Sequence, residues 1–150
     1  MRLVADTGGI VAAMNSAEPD HELYRVTLES AAIAVISPLV VAEVHYLLST
    51  IGADRAANDF LEDLAGGFYE LAGVAPEDYS AAAALIRRCE GRMERKRRKP
   101  GSLDLADAMN IVIANHYSTN VILATDQDYR VTTPLSGHPF FVLLPMDAPS

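Results

Sequence analysis

Short β-branched runs alternate with longer helix-compatible stretches along most of the chain, and this alternation limits the fold more than any other feature. Strands separated by helical segments favour an α/β architecture with a mostly parallel sheet, because parallel neighbours need a long crossover. Arg2–Ala5 reads as a first strand ending at Asp6, and 20–31 as a helix with Leu23, Val26, Thr27 and Leu28 on or near one face. A short buried strand at 34–36 runs into Ser37-Pro38, which has the form of an N-cap followed by proline at the first helical position. A further helix is expected over 54–65, stopped by Gly66-Gly67, and a strand over 68–74. Pro76 opens a long helix to about Arg95, Pro100-Gly101 breaks the chain, and 104–117 is helical. The last strands are expected at 121–124 and 140–144. No repeat or linker divides the chain, so residues 1–150 are expected to form one domain around one core.

Several classes are excluded early. No apolar run approaches the ~20 residues of a membrane span, and MRLVADTGG lacks the apolar stretch of a signal peptide. Cys89 is the one cysteine, so no intrachain disulfide can form, and a reducing cytoplasm is the expected location. The formal net charge of −8 argues against a nonspecific nucleic-acid binder, but the charge is segregated. Residues 87–99 hold eight basic side chains against Glu90 and Glu94, while the rest of the chain holds four basic against eighteen acidic. This basic run is either a solvated helix end that suits the helix dipole or a grip for a polyanion.

Four acids carry the chemistry, although each has a plain structural role available. Asp6 can cap a helix, Asp107 can sit in the first turn of a helix capped by Asp104, and Asp126 can close a turn. Glu43 borders an apolar helix face and must be solvated or partnered. Their shared location is the stronger argument. Asp6 and Asp126 follow strand C-termini, where open α/β sheets form their ligand crevice, and Glu43 and Asp107 lie early in helices that start at that edge. Carboxylates brought together repel unless protonated or neutralised, and a hard divalent ion with oxygen ligands, Mg²⁺ or Mn²⁺, is the simplest neutraliser. No His/Cys spacing suggests zinc, and His21, His45, His116 and His138 fit no motif.

The segments LVADTGGIVAAM, SPLVVAEVHYLL, LADAMNIVIANHY and VILATDQDY, in this order and spacing, resemble PIN-domain toxins of the VapC family over nearly the whole chain. The resemblance implies a PIN-like three-layer α/β fold, with a central mostly parallel sheet flanked by helices. It implies metal-dependent endoribonuclease activity that leaves a 5′-phosphate and a 3′-hydroxyl. It places the catalytic and metal-binding acids at Asp6, Glu43, Asp107 and Asp126, with Asp6 and Asp107 as direct ligands of Mg²⁺ or Mn²⁺. RNA is then the substrate, a VapB-type antitoxin the partner, and a homodimer the assembly. Arg92, Arg95, Arg97 and Arg98 are the candidates to hold the RNA backbone. Where a serine is often found after Asp6-Thr7, this chain has Gly8, so Thr7 or a water is left to supply the hydroxyl. Asp104 and Asp128 are extra acids that either support the metal ligands from behind or simply cap and face solvent, and Asn110, one turn from Asp107, could orient it or be an ordinary helix-face amide. Among Tyr46 to Phe68, the side chains Leu47, Leu48, Ile51, Phe60 and Leu64 are either a partner surface or core. Other readings are a PIN nuclease for RNA processing without an antitoxin, a silent RNA-binding module, and a metal-dependent phosphatase. The last lacks a glycine-rich phosphate loop.

Overall fold

The computed structural model describes residues 1–94 and 103–149. Five parallel strands, β1 (Arg2–Ala5), β2 (Ile33–Ile36), β3 (Glu70–Leu71), β4 (Val121–Leu123) and β5 (Val142–Leu144), form one sheet in the order β3-β2-β1-β4-β5. Six helices connect them: α1 (Thr7–Met14), α2 (His21–Glu29), α3 (Pro38–Thr50), α4 (Asp54–Ala65), α5 (Pro76–Glu94) and α6 (Leu105–His116). This is the three-layer arrangement that the resemblance implies.

The strands alternate across the sheet, as a two-residue period requires. Val4, Val35, Ile122 and Leu143 face α5 and α6, packing with Ala82, Leu85, Met109 and Val112. Leu3, Ala5, Ala34, Ile36 and Leu123 face the other side, against Ile10, Tyr24, Val44 and Phe60 of α1 to α4. Every residue of α6 from Ala106 to Ala114 is buried, and all but Asp107 and Asn110 are apolar, which suits a helix enclosed between sheet and α5. Helix α3 starts as its sequence suggests: the Ser37 side chain accepts from Leu39 N–H, and Pro38 takes the first turn. Val40, Val44 and Leu48, spaced by four, form its buried stripe.

The structure revises or completes the sequence reading in four places. Residues 7–14, unassigned from the sequence, form α1, although Gly8 and Gly9 are poor helix formers. A Cβ on Gly9 would lie 2.5 Å from the Leu123 carbonyl oxygen, so close packing of α1 on β4 demands the glycine. The strand expected over 68–74 shrinks to two paired residues at the sheet edge. In α2 the buried face is Tyr24 and Leu28, while Leu23 and Val26 are half exposed. The apolar group from Tyr46 to Phe68 divides: Leu48 and Phe60 are core, and Tyr46, Leu47, Ile51 and Phe68 are exposed. Among the described residues, no helix is long and apolar enough to cross a membrane.

Candidate active site

The strand order places the site. From β1 the chain steps to β2 and β3, then returns to the other side of β1 for β4 and β5, so the direction of winding reverses between β1 and β4. A crevice opens at such a reversal, outside the C-terminal strand ends. Asp6 directly follows β1 and Asp126 lies just beyond β4, joined by the ladder bond from Asp6 N–H to the Leu123 carbonyl at 3.0 Å. Glu43 comes from the second turn of α3, and Asp107 from the first turn of α6.

These four acids line one cleft of about 170 Å³, together with Thr7, Gly8, Asp104, Ala106 and Asp128. All four sequence-derived candidates are therefore in one place. So are the two extra acids, which gives six carboxylates with no Lys, Arg or His in the lining. Asp104 caps α6, accepting from Asp107 N–H at 2.8 Å, and still reaches the cleft. Asp126 accepts from Asp128 N–H at 2.9 Å, which folds the following 3₁₀ turn (Asp128–Val131) back over the pocket. Asp104 therefore caps α6 as expected, and both it and Asp128 also line the cleft. None of the six is in an ion pair among the described residues.

Charge of one sign in a covered place disfavours ionisation. Burial raises the Asp6 carboxyl from 3.8 to about 7, despite the Thr7 N–H and the Tyr129 hydroxyl that favour its ionised form. Burial, then Asp6 and Asp104, push Asp107 up to about 8. Glu43 and Asp128 are raised for the same two reasons, burial first and neighbouring acids second.

Thr7 supplies the hydroxyl that Gly8 cannot: its Oγ1 donates to Glu43 Oε1 at 3.3 Å. A side chain at position 8 would collide with the Thr125 hydroxyl, so Thr125 occupies the space that a larger residue would need. Asn110 bonds to Asp6 and not to Asp107. Its Nδ2 donates to Asp6 Oδ1 at 3.3 Å and to the Tyr129 hydroxyl at 2.9 Å. Tyr129 was missed altogether, and only its position three residues after Asp126 could have marked it. The histidines stand apart from the lining; His21, for example, bonds the Ala12 carbonyl. Of the four arginines expected to grip RNA, Arg92 falls in the α5 backbone, and its side chain with Arg95, Arg97 and Arg98 lies outside the described residues.

The donor set can be tested against a hard divalent ion. The hydrogen bonds that reach Asp6 come from donors, which suits an acceptor carboxylate, while burial and the neighbouring acids oppose its ionisation and no described cation in the lining offsets them. Among the described residues, no three acidic, His or Cys side chains are close enough to cage an ion alone. Mg²⁺ does not require such a cage: it keeps several waters and takes one or two carboxylates plus phosphate oxygens. An all-oxygen, open cleft fits a partly hydrated ion of that type.

Fold and pocket together define an α/β protein with a carboxylate cleft at the winding reversal of a parallel sheet. The family model described as PIN domain matches residues 3–133, and the chain belongs to the PIN-domain family. Ribonuclease VapC26 of Mycobacterium tuberculosis is 34% identical over 144 residues, covering 94% of this chain and 99% of that protein. The crystal structure of VapC20 from the same organism, described as a sarcin-ricin loop cleaving toxin, matches with a TM-score of 0.73. It covers 91% of this chain and 99% of that one at 17% identity, a likeness of fold.

Proposed function

We propose that this protein is a metal-dependent endoribonuclease that hydrolyses RNA phosphodiester bonds, and that it acts as the toxin of a type II toxin–antitoxin pair. The observation that carries the enzymatic reading is the cleft itself: acids from four separate segments meet with no basic partner, in a chain closely related along its length to a named ribonuclease. Asp6 and Asp107 would hold Mg²⁺ or Mn²⁺, with Glu43 and Asp126 reaching it through water. Such an ion supplies Lewis acidity for the phosphate and lowers the pKa of water. The protein side chains orient and exclude. Glu43, steadied by Thr7, is with Asp126 one of the two exposed acids among the cleft's four candidates, and there it can align the attacking water and accept its proton. Asp126 holds the turn that carries Asp128. Because the cleft repels phosphate until a cation enters, RNA capture is assigned to the basic run that includes Arg92, Arg95, Arg97 and Arg98. A VapB-type antitoxin, a homodimer and a cytoplasmic location complete the proposal.

Purified protein incubated with RNA and Mg²⁺ or Mn²⁺ should cut it, and chelator should stop the reaction. Cutting that persists in chelator, or in a protein carrying both Asp6→Asn and Asp107→Asn, overturns the metal-site reading. Expression alone should arrest growth, and co-expression of a neighbouring antitoxin frame should restore it.

A further inference from the structure

Behind Asp6, on the side away from the cleft, stand two polar side chains that the proposed chemistry does not call on. Asn110 and Tyr129 are both fully buried, and neither lines the pocket. The Asn110 amide directs one N–H to Asp6 Oδ1 at 3.3 Å and the other to the Tyr129 hydroxyl at 2.9 Å. That hydroxyl, held by the amide, is near enough to Asp6 to favour its ionised form. With Thr7 N–H at 2.7 Å, Asp6 Oδ1 accepts from two donors. The ring closes only when Asp6 is an acceptor, since a turned amide would set a carbonyl oxygen against a carboxylate.

This arrangement has a structural cost. Asn110 Oδ1 is buried without a hydrogen-bond partner among the described residues. Such an orphan is destabilising, and apolar side chains of similar shape would fill the same space without it. Stability therefore does not account for Asn110. A role in holding Asp6 does, because a carboxylate gripped from behind by fixed donors has one rotamer and one face left for a ligand.

The geometry points to Asn110 and Tyr129 as positioning residues that lock Asp6 as an acceptor facing the cleft and so set the affinity of the site for a divalent cation. This rests on the metal reading above, and the experiment separates the two. Mn²⁺ binding to the RNA-free full-length protein is measured by electron paramagnetic resonance for wild type, Tyr129→Phe and Asn110→Leu, and thermal unfolding is recorded without metal. Each variant should bind Mn²⁺ about 10-fold or more weakly. The double variant should lose little more than either single one, because the three groups act as a unit. In cleavage assays at a fixed subsaturating Mn²⁺ concentration, kcat should fall while KM for RNA holds. Metal-free Asn110→Leu should melt at or above the wild-type temperature, whereas a merely structural amide would lower it. Tyr129→Phe keeps the ring that packs edge-on against Phe141, so it decides the matter alone if Asn110→Leu does not fold. Variants that fold and bind Mn²⁺ as tightly as wild type overturn the positioning role and leave the metal reading intact. A wild type that cuts RNA yet binds no Mn²⁺ overturns both.

Discussion

Helices α5 and α6 pack side by side, and each carries an aspartate at its third position that reaches back to the capping residue. Asp78 accepts from Ala75 N–H at 2.8 Å, and Asp107 from Asp104 N–H at 3.4 Å. Little of either is exposed, 9% and 7%, but Asp107 is set much deeper in the protein than Asp78. Their acidities move in opposite directions. Asp78 is lowered by the Ala75 bond and by His116, the last residue of α6, whose Nε2 lies 2.8 Å away. Asp107 is raised to about 8 by burial and by Asp6 and Asp104. One local motif serves two ends: with a half-exposed histidine beside it, the acid fastens two helices, and among other acids it is left wanting a positive charge from outside.

The strongest way to break this contrast is to neutralise each acid in turn. Asp107→Asn should reduce RNA cleavage by roughly 100-fold or more, because the variant loses a proposed metal ligand. Asp78→Asn should leave cleavage within about 2-fold, since Asp78 is remote from the cleft lining. Equal losses in gel assays of the two purified variants would erase the distinction.

Acid and base should then pull the metal-free protein in opposite senses. Asp6 and Asp107 titrate near 7 and 8 when folded, against about 3.8 when unfolded. Between those values the folded chain binds the extra protons, so their contribution falls as pH rises from about 4 to 8 and is level above that. Asp78, lowered on folding, contributes above its unfolded pKa and loses that contribution as pH drops through the folded one. Calorimetry in chelator should show melting lower at pH 8 than at pH 5 by roughly 5 °C or more. Mn²⁺ should restore stability chiefly at pH 8. A melting temperature that rises from pH 5 to pH 8 in chelator would contradict the raised pair.

The smallest effect belongs to the fastening acid. Asp78→Ala should destabilise by about 1 kcal/mol, through the loss of one backbone bond and a partly solvated histidine contact. Urea titrations with and without Mn²⁺ should give the same loss. A loss that changes with the ion would couple Asp78 to the cleft.

What could be read in advance was local. Ser37-Pro38 announces a helix within two residues, Val40, Val44 and Leu48 declare their face by spacing, and the four acids mark strand and helix ends. What could not be read depends on distant partners. Gly8 and Gly9 look like helix breakers until Thr125 and Leu123 are seen against them. Asn110 pairs with Asp6 across 104 positions, and no periodicity carries that information. In α2, with nine residues, Leu23 and Val26 suit a buried stripe as well as Tyr24 and Leu28 do, and only the Tyr24 hydroxyl bond to the Ala124 carbonyl shows which side faces in.

The reversal of winding beside β1 also sets a timetable. Asp126 is made 120 residues after Asp6, and they become neighbours only when β4 zips onto a strand laid down more than a hundred residues earlier. A polypeptide still growing on the ribosome has half of its acids without the other half. Until β4 has emerged and paired, the nascent chain would carry an incomplete cleft.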